Sequence, residues 1–157
     1  MTLDELIARE AIRATMARYN TAGDRLQVDD YVACFAEDGA IEATDRHGVH
    51  QFRYQGRAAI RAWQARWLER TGEGEKVHQA SFVRHHLSTC RIDLTGPETA
   101  KARTYWVAWT DIGPDHAGVY VDDFRKVGDD WLIARRQVRE DWRSPDSLFG
   151  TAVARSS

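Results

Sequence analysis

The stretch Thr99-Ala100-Lys101-Ala102-Arg103-Thr104-Tyr105-Trp106-Val107-Ala108-Trp109-Thr110-Asp111 decides the fold class. Its β-branched and aromatic residues recur with a period of two, and Thr95-Gly96-Pro97 before it and Gly113-Pro114-Asp115 after it are turn signals, so it predicts a strand. Tyr105, Val107 and Trp109 fall on one face of that strand. Ser81 to Leu94, Ala117 to Lys126 and Trp131 to Trp142 have the same character, the last pair separated by Gly128-Asp129-Asp130. Long strands joined by short turns form an antiparallel meander.

Upstream the period is that of a helix. Leu3, Leu6, Ile7, Ala11, Ala14 and Ala17 recur at three-to-four spacing with Ile12, Met16 and Tyr19 alongside, which predicts a helix over 3–22 with a wide apolar face. Thr2 and Glu5 form a capping box, and Gly23 is the expected stop. A short helix is expected over Val28 to Ala36, then a strand from Ala40 to Thr44 after the Asp38-Gly39 turn. Residues 45–55 read as a loop with Tyr54 in a short strand, and a third helix runs from Gly56 to Arg70 with Ile60, Trp63, Trp67 and Leu68 inward. Thr71 to Lys76 is a breaker. Helices first and sheet afterwards make an α+β fold, with one domain over 1–143 and a tail or lid over 144–157.

Composition narrows the function. The 157 residues are 43% hydrophobic and 29% charged, with a net charge of −2, which suits one globular domain and argues against nucleic acid as a partner. Arg135, Arg136, Arg139 and Arg143 are offset by Glu140, Asp141 and Asp146. Cys34 and Cys90 have neither CxxC spacing nor a disulfide framework around them. No signal peptide and no membrane span is visible, so a reduced, cytoplasmic setting without membrane association is expected. His47, His50 and His78 show no metal-ligand spacing, and no metal is expected.

The order of Ile12 to Asp24, Tyr31-Val32-Ala33-Cys34-Phe35-Ala36-Glu37-Asp38-Gly39, Tyr54-Gln55-Gly56-Arg57-Ala58-Ala59-Ile60, Arg84-His85-His86-Leu87-Ser88 and Trp131-Leu132-Ile133-Ala134-Arg135-Arg136 resembles the SnoaL-like group of the nuclear transport factor 2-like superfamily. That group holds polyketide cyclases, dehydratases and dehydrochlorinases. The resemblance, over residues 3–143, implies a cone-shaped barrel in which a strongly curved antiparallel or mixed sheet wraps the helices and encloses an apolar pocket. It implies a catalytic Asp after the first helix, matched by Asp24, and a His on the first long strand. Alternation lets only one of His85 and His86 face inward, and the family's His-x-x-[Ser/Thr] pattern selects His85. The assisting arginine of dehydrochlorinase-like members is matched by Arg139, eight residues past Trp131.

The expected chemistry follows. His85, held by Asp24, is a general base for proton abstraction, elimination or isomerisation without metal or cofactor. Arg139 or Tyr19 is the donor for a developing anion. Phe35, Trp63, Trp67, Tyr105, Trp109 and Tyr120 are the expected walls around an apolar cyclic or aromatic small molecule, with Tyr19 and Asp122 as polar contacts. Of Asp122 and Asp123 one must be inward, and burial would raise its pKa. A homodimer or homotrimer is expected by analogy with the fold. Two alternatives stand beside this reading: a noncatalytic binding or assembly module such as a dioxygenase small subunit, and an epoxide hydrolase or ketosteroid isomerase with its carboxylates on the sheet. An Asp24–His85 separation beyond about 5 Å would count against the dyad.

Overall fold

The computed structural model describes residues 1–69 and 80–149, so the expected breaker over 71–76 and the last eight residues of the expected tail lie outside the described residues. Helix α1 spans Leu3–Asp24. Its first turn is closed by the capping box, with the Thr2 hydroxyl accepting from the Glu5 N–H at 3.2 Å and the Glu5 carboxylate accepting from the Thr2 N–H at 2.8 Å. The helix continues one residue past Gly23, because closure is made by Leu26 N–H to Gly23 C=O and Gln27 N–H to Ala22 C=O, with Leu26 in the left-handed region at φ 55°. Asp24 is thereby the last helical residue. The apolar face is buried at Ile12, Met16 and Tyr19, whereas Leu3, Leu6 and Ile7 at the helix start are exposed.

Helix α2 is short, Val28–Ala33, and buries Tyr31 and Val32. Strand β1 (Phe35–Thr44) begins five residues before the expected Ala40, since Phe35 already pairs with Ile133 and a register shift follows before Ala40. The expected loop contains a full strand, β2 (His50–Gln55), and α3 covers Arg57–Glu69. Strands β3 (Arg84–Leu94), β4 (Thr99–Thr110), β5 (Gly113–Val127) and β6 (Asp130–Arg143) form the antiparallel meander.

The six strands are ordered β2-β1-β6-β5-β4-β3, with β1 parallel to β6 and every other neighbour antiparallel. The sheet is mixed and does not close; β2 and β3 are its edges. Helix α1 touches both β6 and β3, which are three strand spacings apart. At roughly 4.8 Å per spacing, one helix about 10 Å across reaches both only if the sheet bends around it. That curvature brings the end of α1 against the start of β3.

Candidate active site

The C-terminal closure of α1 aims the Asp24 side chain at the first residues of β3. Its Oδ2 accepts the His85 backbone N–H at 2.9 Å, and its Oδ1 lies 2.6 Å from His85 Nδ1. Both carboxylate oxygens are therefore spent on one residue, and the ring is fixed in position and tautomer. With Nδ1–H donated to Asp24, Nε2 keeps its lone pair and has no hydrogen-bond partner among the described residues. The Asp24 side chain is 8% exposed and that of His85 25%, so the dyad is sheltered but reachable. It sits on a cleft of about 440 Å³ that Asn20, Asp24, Arg25, Arg84, His85 and Leu87 help to line. His86 also borders this cleft, and its ring packs 6.0 Å from that of Trp109.

A second Asp–His pair lies beside the first. His116 Nδ1 is 2.7 Å from Asp115 Oδ1, and its ring meets that of His85 edge-on at 6.2 Å. Trp106 packs against both imidazoles, 5.9 Å from His85 and 5.6 Å from His116. Burial holds the His116 pKa below its ordinary value despite the Asp115 carboxylate, and nearby Arg143 and His85 push the same way. Asp115 is fully buried; hydrogen bonds from Ser147, the Leu148 N–H and His116 outweigh that burial and hold its pKa low. The same carboxylate anchors the chain after β6, where Phe149 packs 5.1 Å from His116 and 6.5 Å from Trp67.

The structure disperses the other expected site residues. Arg139 faces outward and is clamped by Asp141 at 2.7 and 3.2 Å. Its side is reversed by a bulge: Asp123 pairs with Arg135 and Phe124 with Ile133, so Ala134 is the extra residue and the side chains from Arg135 to Glu140 change face. Arg136, not Arg139, is the inward arginine. Tyr105 and Trp109 are 47% and 40% exposed on the outer face, because the inward set on β4 is Thr104, Trp106 and Ala108. Trp63 stacks on Tyr54 at 5.4 Å and packs against Phe52 and Tyr31, a cluster that does not line the cleft.

Tyr19, Phe35, Tyr120 and Asp122 are inward but packed into the core rather than against the cleft. Arg136 lies between the rings of Tyr19 and Tyr120, 4.1 Å from each centroid, and reaches both oxygens of Asp122 at 2.8 and 2.7 Å. Burial raises the Asp122 pKa, as alternation predicts for the inward member of the doublet, but its oxygens are committed to the guanidinium. Burial also raises the hydroxyl pKa values of Tyr19, Tyr31 and Tyr120, which keeps all three neutral.

The match to the SnoaL-like domain model runs over residues 4–137. The chain belongs to the SnoaL-like family. Solved structures similar to this SnoaL-like chain include a protein provisionally named scytalone dehydratase from Novosphingobium aromaticivorans, 24% identical over 99% of this chain and 100% of that one, with a TM-score of 0.67. Hexachlorocyclohexane dehydrochlorinase LinA-type3 from Novosphingobium barchaimii is 16% identical over 98% and 99%, at a TM-score of 0.69. The β subunit of a provisionally named aromatic-ring-hydroxylating dioxygenase from N. aromaticivorans is 18% identical over 95% and 99%, at 0.74. These likenesses establish the fold; comparison with curated proteins returned no match. Among the described residues no group of three His, Cys, Asp or Glu side chains is placed to hold a metal, and no helix is long and apolar enough to cross a membrane.

Sequence reasoning missed His116, Asp115, Asn20 and Trp106. Gly113-Pro114-Asp115 reads as a turn, yet the turn is made one step earlier and β5 starts at Gly113. The available signal was parity: His116 shares the period of Tyr120 and Asp122.

Proposed function

We propose that this SnoaL-like protein is a cofactor-independent lyase or isomerase acting on a small cyclic molecule, with His85 as general base and Asp24 as its positioning carboxylate. The observation that carries the reading is the double engagement of Asp24 by the His85 N–H and ring, which leaves Nε2 at the cleft without a partner among the described residues. A binding or assembly module has no need of such an arrangement. In the reaction, Nε2 takes a proton from a carbon beside an activating group, and the released electron pair forms the new double bond. The departing hydroxide takes that proton from the imidazolium and leaves as water. Asp24 stabilises the imidazolium between the two steps. Burial favours the neutral form of His116, whose ring packs edge-on against that of His85 at 6.2 Å.

The test is an elimination assay over hydroxylated and halogenated ring compounds with wild type, Asp24→Asn and His85→Ala. Turnover by the wild type should fall by roughly 10²-fold or more in His85→Ala, with a smaller change in KM. A panel that the wild type neither binds nor converts removes the enzyme reading, and so does a His85→Ala variant of undiminished rate.

A further inference from the structure

Two buried donors beside the dyad have no acceptor among the described residues. Asn20 Nδ2 and Trp106 Nε1 are unpaired, although the residues are only 8% and 5% exposed. A buried N–H without an acceptor is costly, and native structures seldom keep one without a purpose. Both side chains are held in place by Tyr120. Its hydroxyl donates to Asn20 Oδ1 at 3.3 Å, which uses the carbonyl end of the amide and leaves the NH₂ end unspent. Its ring stacks on the Trp106 indole, with centroids 5.5 Å apart. Both also border the catalytic pair. Asn20 is one helical turn before Asp24 on the same face of α1 and lines the cleft with His85, and Trp106 packs on the His85 ring.

We infer that Asn20 and Trp106 are specificity-determining residues that read an acceptor oxygen, such as a carbonyl oxygen, on a neutral ligand held against His85. The inference deepens the function proposed above and rests on it. Neither donor is charged, so the pair suits a neutral oxygen or one on which charge develops during proton abstraction. These two residues supply what Arg139 and Tyr19 do not: Arg139 faces outward onto Asp141, and Tyr19 lies in the core accepting from the Tyr31 hydroxyl at 2.8 Å.

The experiment compares α-tetralone with tetralin, which has the same ring system without the oxygen, by titration calorimetry. Wild type should prefer the ketone by roughly tenfold or more. Trp106→Phe and Asn20→Leu should each lose most of that preference while binding tetralin no more weakly. His85→Ala should keep the preference, which separates this inference from the catalytic one: undiminished turnover in that variant removes the dyad and leaves the ketone preference to be judged on its own. As a second readout on unmodified protein, α-tetralone should shift the Trp106 indole N–H proton resonance downfield and tetralin should not. Equal affinity for the two rings, failure to bind either, or a preference that survives both substitutions overturns the inference. A preference lost in His85→Ala also overturns it, since His85 would then be reading the oxygen.

Discussion

Arg136 carries no solvent exposure, and its charge is held inside the core by one carboxylate and two aromatic rings. Burial works against that charge, and the Asp122 carboxylate outweighs it and holds the guanidinium above its usual pKa. Such pairs gain little over well-packed apolar residues, but removing one partner strands the other. Asp122→Asn should therefore lower stability by about 3–5 kcal/mol in urea denaturation. The double variant Asp122→Leu with Arg136→Met should recover most of the loss; if the single variant unfolds at the wild-type midpoint, the pair is not holding the core. Strand alternation required one of Asp122 and Asp123 to be inward, and the structure buries Asp122. Its partner was not readable, because the side of Arg136 depends on a bulge that leaves no local mark. The contact of Asp24 with His85 was expected only through the family resemblance. The unpaired N–H groups of Asn20 and Trp106 are properties of three-dimensional packing and have no sequence signature.

At the scale of elements, the choice of face failed once on a regular strand and once at a bulge. On β4 a regular period of two places Trp106 inward and Tyr105 outward. A wide aromatic run fits either assignment, and the face containing Tyr105 and Trp109 turned out to be the outer one. On β5 the register shifts between Ala117 and Gly118, where a Cβ on Gly118 would lie 1.9 Å from the Arg139 carbonyl oxygen and 2.9 Å from Trp106 Cζ2. The close approach of β6 to β5 is possible only with a glycine there. Gly118→Ala must push the β6 backbone or the Trp106 indole aside, so it should destabilise by at least about 2 kcal/mol. It should also weaken ligand binding by displacing Trp106 from His85. Unchanged thermal unfolding in Gly118→Ala would show that the two strands separate more easily than the packing implies.

The element order was legible along nearly the whole chain because helix caps, turn residues and the change of period are local signals. The parallel pairing of β1 with β6 and the anchoring of the chain after β6 are long-range and were not. That anchor makes stability depend on pH. An unfolded His116 titrates near the ordinary value of 6.5, whereas burial, Arg143 and His85 hold the folded side chain lower. Well above pH 6.5 the folded and unfolded chains are both neutral at this residue, so it contributes nothing to the pH dependence there. Below that value the unfolded chain binds a proton that the folded chain resists, and stability falls until the folded imidazole is protonated too. Asp115 acts in a lower window: its pKa is held under the ordinary 3.8, so its contribution is present above that value and is lost as pH falls through the folded pKa. Urea midpoints measured from pH 8 downward at constant salt should decline first just below 6.5 and again below 3.8. His116→Asn, which keeps a donor for Asp115 but does not titrate, should flatten the first decline and leave the second. An unchanged slope in that variant would assign the first decline to another histidine.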